Sequence, residues 1–270
     1  MVLFWLYNHG HHTVSLVGGA TARVGDPSGR LTSRERTQAS IQEANFQALY
    51  KEVGRVWQNA AKYGERHGFE LKPTWKKTLL DNADWLLKLN VVSFLQMLGT
   101  GMRIGTMLGR DTYVSPFAVS MRLIRDVGAD CFLRCRVKNK MEKGDGMSFA
   151  EFTYPLLQGW DWWHMFANND VQLQIGGSDQ YGNIVAGMDA IKHIAQTSPE
   201  ALEGKGVLDA SGKLKDELAP MGITVPLLTT ASGEKFGKSA GNAIWLDKNL
   251  TSPFDLYGVS TPHIHASNQA

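Results

Sequence analysis

The spacing of apolar and polar positions changes period several times along the chain. Residues 13–17 form a short β-rich run that meets Gly18-Gly19, the pattern of a buried parallel strand followed by a glycine turn. Asp26-Pro27-Ser28-Gly29 is turn chemistry. Residues 38–68 carry helical periodicity and stop on glycine, a common helix ending. Residues 79–89 hold a strand end with Asp81-Asn82, and 91–108 read as helix. A tryptophan-rich stretch at 154–167 reads as a second strong helix. Residues 171–175 alternate and then meet Gly176-Gly177, so a strand with another glycine turn is predicted there, followed by a helix over 180–196. Residues 197–218 read as a surface loop, 223–229 as a strand and 230–241 as a small-residue loop. Strands alternating with helices imply an α/β fold built on a doubly wound parallel sheet. Ligands in such sheets sit at the carboxyl ends of the strands, so both double-glycine turns are candidate ligand edges.

Composition changes this picture little. The chain has 270 residues, 43% hydrophobic and 20% charged, enough for one large core. A net charge of +2 neither favours nor excludes nucleic acid, because RNA-binding proteins often use a local patch. Cys131 and Cys135 make no disulfide framework, and a zinc site would need two more ligands nearby. No bound zinc is expected. No apolar run approaches the ~20 residues of a membrane span, and residues 1–7 read as the end of a buried helix, lacking the features of a signal peptide.

Three polar constellations stand out. Lys235-Phe236-Gly237-Lys238-Ser239 tempts a P-loop reading, but the glycine that motif needs five positions earlier is Ser232. What remains is two lysines on a flexible loop, suited to a mobile clamp on polyphosphate or, alone, to an exposed basic loop. The run Gln174-Ile175-Gly176-Gly177-Ser178-Asp179-Gln180-Tyr181-Gly182-Asn183 places an acid that could accept from ribose hydroxyls beside two amides. Its glycines would let the backbone approach a flat ligand closely. Tyr154, Gln158 and Asp161, spaced by four and three, fall on one helix face among Trp160, Trp162, Trp163 and Phe166. That face is either solvent-facing or a partly buried polar pocket.

Together with Val17-Gly18-Gly19-Ala20-Thr21 running to Gly25-Asp26-Pro27-Ser28-Gly29, these blocks in this order resemble the tyrosyl-tRNA synthetases of bacterial and mitochondrial type. The polar loop at 197–218 and the 38–75 segment resemble the fungal mitochondrial branch. The resemblance implies a Rossmann-like class I catalytic domain that joins L-tyrosine to ATP as tyrosyl-adenylate, then passes the tyrosyl group to tRNA(Tyr). It implies that Asp26, Tyr154 and Gln158 hold the substrate ammonium and that Asp161 accepts from the phenolic hydroxyl. A buried group built to pair with that hydroxyl disfavours phenylalanine, which would leave it unpaired. Gln174 and Gln180 would orient the amino acid, and Gly177 and Asp179 would contact adenosine and ribose. Thr21 would lie near the phosphates, and Lys235 and Lys238 would neutralise the leaving pyrophosphate alongside Mg²⁺. No general base is needed, since the substrate carboxylate is already a nucleophile. Asp161 argues against a tryptophan-specific relative, because indole carries no phenolic hydroxyl. A homodimer, with 91–108 contributing, and the mitochondrial matrix are implied as well.

The sequence departs from that family in three places. The strand with the tyrosine-pocket Tyr and Asp, and the His-x-Gly-His helix start, have no counterpart; His9-Gly10-His11-His12 lies too late and reads as a turn. Residues 113–136 fit nothing in the family, and 258–270 form an unrelated, disordered tail by expectation, leaving 1–257 as an incomplete catalytic domain. Both odd segments contain a Val-Ser pair near the break, consistent with translated introns. The competing readings are a catalytically inactive fragment and an RNA-binding protein that assists group I intron splicing.

Overall fold

The computed structural model describes residues 2–26, 38–70, 72–102, 123–124, 146, 148–227 and 244–260. Helix α1 (Val2–Asn8) leads through a turn at His9–Gly10, where Gly10 takes a φ of 91°, into β1 (Thr13–Val17). The turn reading holds for His9, whose Nδ1 lies 2.7 Å from the Trp5 carbonyl, four residues back; His11 and His12 follow the turn, with His12 Nε2 3.2 Å from Thr78 Oγ1. A single turn, α2 (Thr21–Val24), follows the first glycine pair, and α3 (Ala39–Arg66) is the long helix expected over 38–68. Then come β2 (Lys77–Asp81), the one-turn α4 (Ala83–Leu86) and α5 (Val91–Phe94). Asn90 caps α5 by accepting from the backbone of Val92 and Ser93.

The helix expected over 91–108 is helical from Val91 to Gly99 and changes type on the way. After Phe94 the chain widens into a π turn at Leu95–Gly99, and 103–108 lie outside the described residues. The wide turn ends where Gly101 meets the His193 ring so closely that a Cβ would come within 2.4 Å of it.

Strand β3 (Leu123–Ile124) falls inside the segment that fits nothing in the family. Helix α6 (Phe149–Asn169) starts five residues before the predicted helix. Ser148 and Glu151 form a reciprocal capping box that satisfies the first backbone donors. Asp170 in left-handed conformation closes the helix by donating its N–H to the Met165 carbonyl. Strand β4 (Leu173–Gly177), a 3₁₀ turn (Ser178–Gln180), α7 (Tyr181–Thr197) and β5 (Met221–Val225) complete the central part. The 197–218 segment carries two 3₁₀ turns and a Leu208–Leu214 bridge. Helix α8 (Pro253–Ser260) continues past Tyr257, so the first residues of the expected disordered tail are helical.

Two parallel pairs set the architecture. β1 and β2 run in register from Thr13–Lys77 to Val17–Asp81, joined by the α3 crossover. β4 and β5 run from Leu173–Met221 to Gly177–Val225, joined by α7. Among the described residues the ladder is a two-stranded and a three-stranded sheet, in place of one continuous sheet. β3 adds antiparallel to β5. The carboxyl ends of β1 and β2 lie side by side, as do those of β4 and β5, so each glycine pair sits at a strand-end edge.

The main core lies between α6 and α7. Trp162, Ile184, Ile191 and Ile194 are fully buried there, and Trp162 Nε1 donates to the Val171 carbonyl at 3.0 Å. A smaller cluster packs Tyr7 against Trp57 and Ala60 of α3, with Trp57 Nε1 donating to Ser15 Oγ at 2.8 Å. The two large helices meet at small residues: a Cβ on Gly187 would lie 2.7 Å from the Trp162 ring, and one on Gly159 would lie 3.3 Å from Ala190. Gly187→Ala, despite the better helix propensity of alanine, is therefore expected to lower stability by about 1–3 kcal/mol, because the hydrogen-bonded Trp162 cannot step aside. Urea unfolding checks this; an unchanged or raised midpoint would mean that the helix pair is looser than described.

Candidate active site

At the end of β1 the backbone turns over the end of β2. Asp81 Oδ1 accepts from Gly19 N at 3.1 Å and from Ala83 N at 2.9 Å. A Cβ on Gly19 would sit 2.4 Å from that oxygen, and one on Gly18 would sit 2.4 Å from Thr21 Oγ1. On the other edge, a Cβ on Gly176 would meet Gln180 at 2.9 Å, and one on Gly177 would meet Leu227 at 2.7 Å. Both glycine pairs read as candidate ligand edges, and Gly176-Gly177 as an approach for a flat ligand. Here they first admit the protein's own side chains, which close over each turn.

Two hydrogen-bonded networks occupy this edge. The first centres on Asn82, which is fully buried. Its Oδ1 accepts from Ala20 N at 2.8 Å. Its Nδ2 lies 2.9 Å from Thr21 Oγ1 and 2.9 Å from Asp161 Oδ2, donating to both. The other Asp161 oxygen accepts from Trp85 Nε1 at 2.8 Å. Asp161 is 4% exposed, and both of these donors are neutral. Burial pushes its carboxyl up to about 7, with the Asp81 charge adding to the rise, against the lowering effect of the Asn82 and Trp85 hydrogen bonds.

The second network joins the remaining polar residues. Gln180 Nε2 donates to Asp26 Oδ2 at 2.9 Å. The buried Asn183 amide lies 3.0 Å from Gln180 Oε1 and 3.0 Å from Gln158 Oε1, donating to each. Asp26, Gln158 and Gln180 come from three distant stretches of chain and meet through Asn183. Gln158 and Asp161 lie three apart on α6, so that helix face carries one member of each network. Tyr154 is half-buried on the same face, and Gln174 on β4 keeps a buried Oε1 with no hydrogen-bond partner among the described residues. Thr21, expected near the ATP phosphates, has its hydroxyl turned into the Asp161 network. Asp179 stands in the 3₁₀ turn after Gly177. Lys235 and Lys238 lie outside the described residues.

Three residues of this arrangement were not singled out from sequence as site residues: Asn82, Trp85 and Asn183. Asp81-Asn82 read only as a strand end, and Asn183 only as the close of its motif. A carboxyl-end position followed by an asparagine was the available signal, and it is a weak one.

The Asp161 carboxyl gives a pH dependence. Unfolded, it ionises near 3.8; folded, near about 7. Between those values the folded protein keeps a proton that the unfolded chain has released, so stability falls as pH rises through that window. The contribution is fully present below about 4 and is lost above about 7, a change of about 4 kcal/mol. Denaturation at pH 5 and pH 8 is expected to show this slope, flattened in Asp161→Asn. An equal slope in that variant would locate the effect elsewhere.

A buried carboxylate, paired amides and glycine turns thus lie together at parallel strand ends, the arrangement of an α/β protein, and the comparisons with known proteins give its family. Residues 1–261 match the family described as tRNA synthetases class I (W and Y), to which the chain belongs. It is 44% identical over 261 residues to the mitochondrial tyrosine–tRNA ligase of Podospora anserina, covering 96% of this chain and 35% of that protein. It is 37% identical over 256 residues to the human mitochondrial tyrosine–tRNA ligase, covering 94% of this chain and 43% of that one. Among solved structures, a C-terminally truncated mitochondrial tyrosyl-tRNA synthetase from Aspergillus nidulans superposes with a TM-score of 0.73 at 41% identity, covering 95% of this chain and 60% of that chain. The chain thus spans less than half the length of these curated relatives.

Proposed function

We propose that this chain is the tyrosine-activating part of a mitochondrial tyrosine–tRNA ligase, acting with ATP and tRNA(Tyr). The observation that carries the reading is Asp161. A buried carboxylate, steered by two neutral N–H donors and with no cation against it among the described residues, is an acceptor set for a hydroxyl donor, and the phenol of tyrosine is one. The neutral donors fix its direction while leaving lone pairs free. Thr21 and Asn82 belong to this same hydroxyl-recognising end.

Asp26, Tyr154 and Gln158 hold the substrate ammonium, which needs acceptors; Asn183 supports this by fixing the Gln158 amide. Gln174, whose buried oxygen has no partner among the described residues, and Gln180 orient the amino acid. Gly177 and Asp179 take adenosine and ribose. The tyrosine carboxylate attacks the α-phosphorus of ATP, the bond to the β-phosphate oxygen breaks, and pyrophosphate leaves with its charge met by Lys235, Lys238 and Mg²⁺ held by the phosphates. Catalysis is positioning plus electrostatics, with no proton to remove. The relatives are named mitochondrial, which supports a mitochondrial location; the reading adds the matrix and a homodimer, in whose interface the exposed Val91, Val92 and Leu95 would lie.

Ligand-induced stabilisation tests the reading. Tyrosine is expected to raise Tm at millimolar concentration, and phenylalanine to leave it unchanged. Equal shifts with both amino acids would remove Asp161 as the discriminating group.

A further inference from the structure

One half-buried side chain reaches the Asp161 network only through another residue. His164 lies one helical turn beyond Asp161 on α6. Its imidazole stacks on the Trp85 indole, with ring centroids 4.3 Å apart and planes inclined by 14°. Trp85 is the residue whose Nε1–H donates to Asp161 Oδ1. It stands on α4, a helix of only four residues whose N-cap residue Asn82 gives no side-chain cap, its amide being used by Ala20, Thr21 and Asp161 instead. The N–H lies in the indole plane, and a flat neighbour over that plane limits its tilt. The limit matters because a hydrogen bond weakens steeply as it bends.

The surroundings of His164 suit a neutral stacking partner. Burial, and then the positive charge of Lys205, hold its pKa below the ordinary histidine value. Lys205 is anchored on the Ala167 carbonyl of the same helix, and Asn168 Nδ2 lies 3.4 Å from His164 Nδ1 while donating to the His164 carbonyl at 2.9 Å. Asn168 and Lys205 thus flank the imidazole on α6, and the indole stacks on its face.

We infer that His164 is a positioning residue for hydroxyl recognition: its ring clamps the Trp85 indole flat, so that the indole N–H stays aimed at Asp161 Oδ1. This rests on the reading of Asp161 as the acceptor for the tyrosine phenol. Asp161 makes the contact with substrate, Trp85 sets the direction of its lone pairs, and His164 sets Trp85.

The test uses the whole chain with His164→Ala, His164→Gln and His164→Phe, the last keeping a flat ring. The first readout is the indole ¹H–¹⁵N resonance of Trp85, assigned by its loss in Trp85→Phe. The second is the ratio of tyrosine to phenylalanine affinity. The resonance is expected to move in the Ala and Gln variants and to hold in Phe. The ratio is expected to fall about fivefold in Ala and Gln, as one misaimed donor would cost, and to be retained in Phe. His164→Ala should lower the ratio no further in a Trp85→Phe background. An unmoved Trp85 resonance in both Ala and Gln overturns the inference, as does a moved resonance with an unchanged ratio. If the unsubstituted protein shows no preference for tyrosine while the resonance moves as expected, the hydroxyl reading of Asp161 falls and the clamping of Trp85 stands.

Discussion

Asp161→Asn is expected to weaken tyrosine binding by about 100-fold while leaving phenylalanine binding unchanged. The carboxylate accepts from Trp85 with one oxygen and from Asn82 with the other. An asparagine of the same shape offers one acceptor and one amide nitrogen, so a protein donor loses its partner and the phenol loses a charged acceptor. A hydrogen bond to a charged group contributes about 1.5–3 kcal/mol, and the upper end suits a site this buried. The wild-type protein should also bind tyrosine more tightly as pH rises from 6 to 8, because a hydroxyl donor favours the ionised carboxyl whose pKa stands at about 7. Binding should therefore release a proton near pH 6.5, seen in calorimetry as a heat that depends on the buffer. A variant that keeps the tyrosine preference, or a pH-independent affinity in the wild type, would place phenol recognition on another group.

Asn82→Ala should be the most damaging single change to the fold in this region. One buried amide satisfies Ala20 N–H, Thr21 Oγ1 and Asp161 Oδ2 together. Removing it strands the Ala20 donor and takes a partner from the other two, at about 1–3 kcal/mol for each buried group left unsatisfied. A loss of about 3–5 kcal/mol is expected, large enough to name a mechanism for a single substitution. Asn82→Asp sharpens the test. It keeps an acceptor for Ala20 but sets a second carboxyl against Asp161, so the pH at which tyrosine binding strengthens should move upward. Urea unfolding of both variants, with tyrosine titrations across pH, reads the two effects separately. Two near-neutral variants would show that the hub is dispensable.

Local pattern carried much of the fold. The 13–17 run needed only β-branched residues and a glycine pair to be read, and the strand runs over those same residues. The start of α6 escaped because periodicity begins at Tyr154, whereas the helix is nucleated earlier by the Ser148–Glu151 box. The π turn at Leu95–Gly99 carries an ordinary helical pattern; the close approach of Gly101 to His193, from a helix far along the chain, is not written locally. The same holds at the site. Spacing put Tyr154, Gln158 and Asp161 on one helix face but left that face either solvent-facing or a pocket; their roles came with the family resemblance. Asn82 and Asn183 act through partners up to 79 and 25 residues away in sequence, so their roles emerge only once the chain is folded. His164 was equally silent, because stacking on Trp85 spans the same kind of distance.

Tyrosine-dependent exchange of pyrophosphate into ATP tests the central claim most directly, with Lys238→Ala as control. The account expects exchange that requires tyrosine, is not supported by phenylalanine and disappears in the control. A folded chain that exchanges pyrophosphate no faster with tyrosine than without it, or as fast with phenylalanine, would contradict the claim that this chain activates tyrosine.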